Sequence, residues 1–283
     1  MKTVKLMTLW GMVAFIFFTA GCSGGGGSGG SGNTGSLTMS VTDAKPLLPD
    51  NVTHLFVEFS EIWVHKSGGG WKKLTLAESP YTIDLLQFQD GNTTQLVPPI
   101  ELDSGRYTQV RIVVDSATIR FNNDETTDEA VEIPSEHLKT DQNFTLNLAG
   151  GSAIDMVIHF DLSKSVVVTG TGAYQLKPVF HLFEDPLLAA TIEGSIDNES
   201  FGESERATIS VLTDSDEIYT QVEVEKSDIS EPTSFRIFWI VPDQTYTVQV
   251  DFDQDGVVDF EVVVEGVDLP PGGAFELNEG AAI

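Results

Sequence analysis

The chain has 283 residues, 41% of them hydrophobic and 17 of them Phe, which suffices for one large domain or two modest ones. Acidic residues outnumber basic ones by 43 to 15, a net charge of -28, so the chain should repel nucleic acid and anionic lipid surfaces. Its single cysteine, Cys22, excludes an internal disulfide.

The chain opens with Lys2 and Lys5, an apolar run from Leu6 to Phe18, and the small residues Thr19, Ala20 and Gly21 before Cys22. The run is short for a membrane span, and the order of parts predicts a secretory signal over residues 1–21. The stretch resembles a bacterial lipobox, which implies cleavage before Cys22 and acyl chains such as palmitate on it. Thr19 stands where a lipobox usually carries Leu. Each buried methylene of such a lipid contributes about 0.8 kcal/mol, so several chains give a lasting membrane anchor. Ser23, in place of Asp, is similar to the signal for sorting to the outer membrane. Residues 22–36 continue as "CSGGGGSGGSGNTGS", a flexible tether. It spells a G-x-S-x-G across Gly26, Ser28 and Gly30, but a nucleophile elbow needs a strand before it and a helix after it.

From Leu37 short alternating runs take over. "LTMSVTDA" puts Leu37, Met39 and Val41 on one face. "HLFVEFSEIWVHK" puts Leu55, Val57 and Phe59 on one face and then carries Ile62 and Val64. "YTQVRIVVDSATIRF", "NFTLNLAGG", "IDMVIHFDL", "KSVVVTG" and "YQLKPVFHLF" follow. Period two, β-branched and aromatic residues, and Gly, Asn or Asp breaks predict strands. Only "SEHLKTD", residues 135–141, suggests a short helical turn. Near Leu187 a second series starts, with "ATIEGSID", "RATISVLT", "YTQVEVEK", "SFRIFWIV", "TYTVQVDFD", "VDFEVVVEG" and "AFELNEG". Residues 184–283 hold 24 acidic residues against 3 basic ones. The charge shift marks a boundary, and the predicted architecture is all-β, with two β-sandwich domains in tandem over residues 37–183 and 188–283.

Four blocks of the first series occur in a telling order: "HKSGGGWKKL", "TIDLLQFQDGNTTQL", "LDSGRYTQVRIVV" and "FDLSKSVVVTGTGAYQLKPVF". They resemble the bacterial lipoprotein domain known as domain-of-unknown-function family 4382. The resemblance covers about residues 37–183 and implies an extracytoplasmic β-sandwich with no established activity. The second series is similar, through "ATIEGSI", "ATISVL" and "SFRIFWIVPDQTYTVQV", to a prealbumin-like or carboxypeptidase-regulatory-like sandwich, which implies a folded accessory. Pro242-Asp243-Gln244 replaces the Gly expected in its turn.

The stretch "DFDQDGVVDF" offers metal chemistry. Asp251, Asp253 and Asp255 fall at positions one, three and five of a calcium loop, Gly256 at six, the Val257 carbonyl at seven and Asp259 at nine. Position twelve is Val262 instead of Glu, and both flanks read as strands, so this is a hairpin analogue rather than an EF-hand. Glu261 is a candidate to complete the shell of a Ca2+ ion. An acidic Asp-Gly turn without metal is the alternative.

The histidines, at 54, 65, 137, 159 and 181, lack zinc-site spacing, although His159 and His181 lie on strands that could be neighbours. Trp63 and Trp239 read as core anchors. Trp71, after Gly68-Gly69-Gly70 at a hairpin, is a candidate to stack on a sugar, with core packing as the alternative, and Lys66, Lys72 and Lys73 around it form a basic tip, either a contact for an anionic glycan or a solvated hairpin loop. Together these features predict a non-enzymatic, lipid-anchored envelope or cell-surface protein facing the periplasm or medium. Its partners would be a membrane, through the lipid, and a glycan or envelope protein, with no nucleic acid. An extracytoplasmic polysaccharide hydrolase, or its carbohydrate-binding accessory, is the alternative.

Overall fold

In the computed structural model, the described residues are 33–43, 48–49, 51–134, 137–139, 145–227 and 231–277. Cys22, the predicted signal and most of the predicted tether lie outside them. Residues Ser31–Ile283 form one compact unit.

The first thirteen strands are β1 (Thr34–Asp43), β2 (Val52–Lys66), β3 (Trp71–Leu74), β4 (Tyr81–Asp84), β5 (Thr94–Asp103), β6 (Gly105–Phe121) and β7 (Glu129–Ala130). They continue with β8 (His137–Lys139), β9 (Leu146–Leu148), β10 (Ala153–Phe160), β11 (Val166–Val168), β12 (Tyr174–Leu176) and β13 (Phe180–Phe183). One sheet runs β13-β10-β1-β5, with β1 and β10 parallel. The other is built on β2 and β6, flanked by β3, β4, β7, β8 and β9. Leu37, Met39 and Val41 of one sheet meet Leu55, Val57, Phe59, Ile62 and Val64 of the other in a single core.

The long strand β2 explains much of this half. Its inward residues are Leu55, Val57 and Phe59, then Ile62 and Val64, all fully buried. The parity changes because its register against β6 shifts around Glu58, Phe59 and Glu61, a β-bulge. After the bulge, Glu61, Trp63 and His65 face outward. Trp63 is therefore not a core anchor: it is half-buried on the outer face, its indole N–H donating to Glu61 at 2.8 Å. Two further expectations change. Residues 137–139 are a strand, because they pair with Arg111, Ile112 and Val113 of β6 and so gain ladder hydrogen bonds that an isolated turn lacks. The first strand also begins at Thr34, inside the predicted tether, since Thr34, Gly35 and Ser36 pair with Asp103, Leu102 and Glu101.

The remaining strands are β14 (Ala190–Ile196), β15 (Arg206–Thr213), β16 (Ile218–Glu225), β17 (Thr233–Ile240), β18 (Tyr246–Asp251), β19 (Phe260–Val264) and β20 (Ala274–Glu276). They make two sheets, β17-β14-β20 and β16-β15-β18-β19, around a second core that includes Ile192, Ile209, Val211, Tyr246 and Val248. Strand alternation here is regular, as in β18, because each sheet buries one face and wets the other.

A third, smaller cluster joins the two sandwiches: Val157 and Phe183 from the first, and Trp239 from the second. Strand β10 buries both faces from Met156 to Phe160. Met156, Ile158 and Phe160 enter the first core, while Val157 turns to Trp239. Trp239 is the anchor predicted, but of the junction, and it is held at φ 63° where the β14–β17 register slips between Ala190 and Ile192. No helix among the described residues is long and apolar enough to cross a membrane.

Candidate functional site

The aspartate stretch is the turn of the β18–β19 hairpin, whose antiparallel register runs from Tyr246 opposite Val264 to Val250 opposite Phe260. The turn is shaped by its own carboxylates. Asp251 accepts from the Gly256 N–H at 2.9 Å, Asp253 from Asp255 at 3.3 Å, Asp255 from Val257 at 2.8 Å, and Asp259 from Phe252 at 2.9 Å. Gly256 takes φ +85°, the left-handed conformation that a side chain disfavours. Carboxylate oxygens of Asp251, Asp253 and Asp259 lie within 4.8 Å of one another. Three anions that close repel, and a hard divalent cation bound by their oxygens would offset the repulsion. The second oxygen of Asp251, Oδ1, is buried without a hydrogen-bond partner among the described residues. Asp255 is outside the converging group, and Glu261 accepts instead from Gln249 at 2.7 Å across the sheet. Of the expected carboxylates, three converge.

Trp71 starts β3 and lies opposite His65 of β2, with their rings 5.1 Å apart. Arg111, on β6 opposite Trp63, places its guanidinium 4.2 Å from the centre of the Trp71 ring. Its Nε is buried and makes no hydrogen bond to a described residue. On the neighbouring row Lys73 sits 5.9 Å from the Trp63 ring and pairs with Glu61 at 2.6 Å. Lys72 donates to the Glu101 carbonyl and Arg106 to Thr145. The outer face of β3, β2 and β6 is thus a strip of two indoles, an imidazole and the cations Lys73 and Arg111, in a chain that is otherwise acidic, while Lys72, opposite the inward Val64, lies on the other face of β3. Sequence reasoning found Trp71 and the lysines but missed Arg111. Its place between the inward Val110 and Ile112 was a signal that it faces out, but strand order was needed to bring it to Trp71.

The histidines divide. His54 meets Asp84 at 2.6 Å and Asn123 at 2.9 Å, at the far end of β2. His159 and His181 are direct cross-strand partners on β10 and β13, with rings 6.2 Å apart. His159 also stacks 6.3 Å from Trp239, and His181 lies 4.7 Å from Tyr219. Neither ring nitrogen of His159 has a hydrogen-bond partner among the described residues. Burial pushes the His159 imidazole down to about 3, helped by the charges of His181 and Lys164, and burial likewise pushes His181 down to about 4. These neutral rings fill the junction between the sandwiches, and no cluster of three metal-binding side chains among the described residues includes them.

The family described as "Domain of unknown function (DUF4382)" matches residues 34–178. No curated protein matches the sequence. Among solved structures, the Bacillus anthracis TIE protein aligns at 10% identity with a TM-score of 0.22, over 86% of this chain and 33% of that one. This chain therefore spans about a third of that protein's length. The fimbrial anchor protein Mfa2 from Porphyromonas gingivalis aligns at 10% identity and a TM-score of 0.21, over 82% of this chain and 84% of its own. BcpA, the major pilin subunit of Bacillus cereus, aligns at 10% identity and 0.21, over 86% and 69%. Scores at this level carry no argument about function.

Proposed function

This chain belongs to the DUF4382 family, whose domains have no known function, and on that footing we propose that it is a lipid-anchored envelope or cell-surface protein that binds its ligand rather than transforming it. The anchor is the lipid on Cys22, followed by the glycine-rich tether; two sandwiches, the first starting at Thr34 and the second at Ala190, are carried beyond it. The ligand is a carboxylated polysaccharide lying across β3, β2 and β6. One observation carries this reading: the Arg111 guanidinium, centred 4.2 Å from the Trp71 ring, sets a cation beside an indole on this face. An indole face stacks on a sugar ring, while a guanidinium donates to a carboxylate in its own plane. The net charge of -28 opposes such a ligand at long range, but at physiological salt charges beyond roughly 8 Å are largely screened. Local contacts then decide.

Calorimetry with alginate oligosaccharides, against dextran of equal length, tests this on the ectodomain from residue 23. Alginate should bind, and more weakly as salt rises. Trp71→Ala and Arg111→Ala should each weaken it about tenfold, the order of a lost stacking or charge-assisted contact. Equal binding of alginate and dextran, or of variant and parent, rejects the reading.

A second reading rests on the converging oxygens of Asp251, Asp253 and Asp259. We infer that they, with the Val257 carbonyl, hold a Ca2+ ion that stabilises the second sandwich. A ligand bound only by the folded state raises stability, by about 2.7 kcal/mol at a hundredfold excess over Kd. Thermal unfolding in 2 mM calcium chloride should therefore occur several degrees above that in EDTA, and coincident curves remove the inference.

A further inference from the structure

The second sandwich leaves two strand edges unpaired on one side. Among the described residues, β16 pairs only with β15 and β17 only with β14. Between these edges lies a cleft of about 250 Å³. It is lined by residues 222–225 of β16 and 233–238 of β17. A run of consecutive residues on each strand, rather than alternate ones, means that main-chain edges as well as side chains face the space. Its floor is the rim of the second core: Val222, Val224 and Phe235 keep 8%, 9% and 7% of their surface exposed. Two of the guards against strand addition, inward-pointing charges and an interrupting proline, are missing from these edges. The inward positions Val222, Val224, Phe235 and Ile237 are all apolar, and Pro232 precedes β17 instead of interrupting it.

Charge selects the occupant. Asp43, Asp90, Glu223, Glu225 and Arg236 line the cleft. Arg236 is held by Glu193 at 2.6 Å, so it contributes little free positive charge. Arg206 pairs with both glutamates, at 3.1 Å from Glu223 and 3.4 Å from Glu225, and Gln254 donates to Glu223 at 2.9 Å. That leaves an acidic surplus around a main-chain edge, within residues 184–283, which have only 3 basic residues. At the mouth, Gly91 comes so close to Phe238 that an added Cβ would stand 3.1 Å from its ring, which fixes one end of the cleft.

We propose that this cleft accepts an extended cationic segment of a protein partner as an added β-strand. Its main chain pairs along the free edge of β17, its apolar side chains alternate onto Val224 and Phe235, and its lysines or arginines meet Glu223, Glu225 and Asp90. The surface is separate from the Trp71 strip and does not depend on a glycan being bound there.

Hydrogen exchange read by mass spectrometry tests it on the whole ectodomain. The probes are an alternating Lys-Val octapeptide, a Glu-Val octapeptide and a Lys-Val octapeptide with two internal prolines. The Lys-Val peptide should slow exchange about tenfold or more in segments covering β16 and β17, and the other two should not. The exposed variant Glu225→Lys should weaken the effect about tenfold while leaving the melting temperature close to the parent. Val224→Lys, which puts a charge on the floor, should abolish it. Absence of protection, equal protection by the Glu-Val peptide, or no response to Glu225→Lys overturns the proposal. Protection that grows with protein concentration in the absence of peptide also overturns it, by making a second copy the occupant.

Discussion

Gly35 shows how a single residue's role can be hidden by its neighbours. It ends a glycine-rich run and reads as tether, yet in β1 an added Cβ would stand 2.7 Å from the Ala149 carbonyl oxygen and 2.8 Å from the Leu148 side chain. A backbone oxygen cannot swing aside as a side-chain end can. Gly35→Ala should therefore lower stability by about 1–3 kcal/mol, the range of overpacking, whereas Gly70→Ala, whose Cβ would meet nothing within 4 Å, should cost far less. Urea unfolding of the ectodomain measures both, and equal midpoints would show that β1 does not pack as described. Composition could not separate these glycines, because both a solvated linker and a crowded strand favour a residue without a side chain. Trp63 is a different failure. The sequence itself held the answer, since burying Ile62 and Val64 sends Trp63 outward, and only its size suggested a core.

At the scale of the element, hairpins were the most legible feature and their side-chain geometry the least. The run "TYTVQVDFDQDGVVDFEVVV" predicts two strands about an acidic turn, and β18 and β19 form them. Alternation alone offers Asp251, Asp253 and Asp255 as equivalent ligands. The folded turn separates them, because Asp255 bonds forward to the Val257 N–H while Asp259 curls back to the converging pair. The calcium reading therefore makes a graded prediction. Asp253→Asn should lose most of the calcium-dependent rise in melting temperature. Asp255→Asn should retain most of it, even if both variants melt lower in EDTA from a disturbed turn. If Asp255→Asn is the more damaging in calcium alone, the ion is bound in the EF-hand manner that alternation suggests and the converging group is not its site. The bulge in β2 was written as a parity change, but its consequence, a strip of Trp63, His65, Trp71 and Arg111, depended on which strands became neighbours. Spacing along one strand carries no information about that.

The two sandwiches meet over a surface that combines aromatic packing with buried imidazoles, and this sets how the whole molecule answers acid. His159 lies among Val157, Phe183, His181 and Trp239, and the charged or titratable groups nearest the junction are Lys164, Asp161 and Tyr219. Lys164 donates to the Ile218 carbonyl at 3.1 Å and pairs with Asp161 at 3.2 Å, so it ties the first sandwich to β16. In the unfolded chain His159 titrates near 6.5, whereas burial holds it near 3 in the fold. The unfolded state therefore binds more protons below pH 6.5, and stability must rise with pH across that window. The contribution is fully present above pH 6.5 and is lost as pH falls toward 3, about 2 kcal/mol by pH 5 at 1.36 kcal/mol per unit. His181, near 4, acts in the same direction. Asp161 opposes them, since burial raises its pKa and protonation then favours the fold. The comparison that isolates the imidazole is His159→Phe, which keeps a ring against Trp239 and Phe183 without a titrating nitrogen. Urea midpoints at pH 7, 6 and 5 should decline steeply for the parent and by roughly half that slope for His159→Phe, with the gap closing at pH 7. Parallel declines would mean that the junction stays hydrated enough for His159 to titrate as it does in water, and that the two sandwiches are held together at Lys164 rather than across the aromatic cluster.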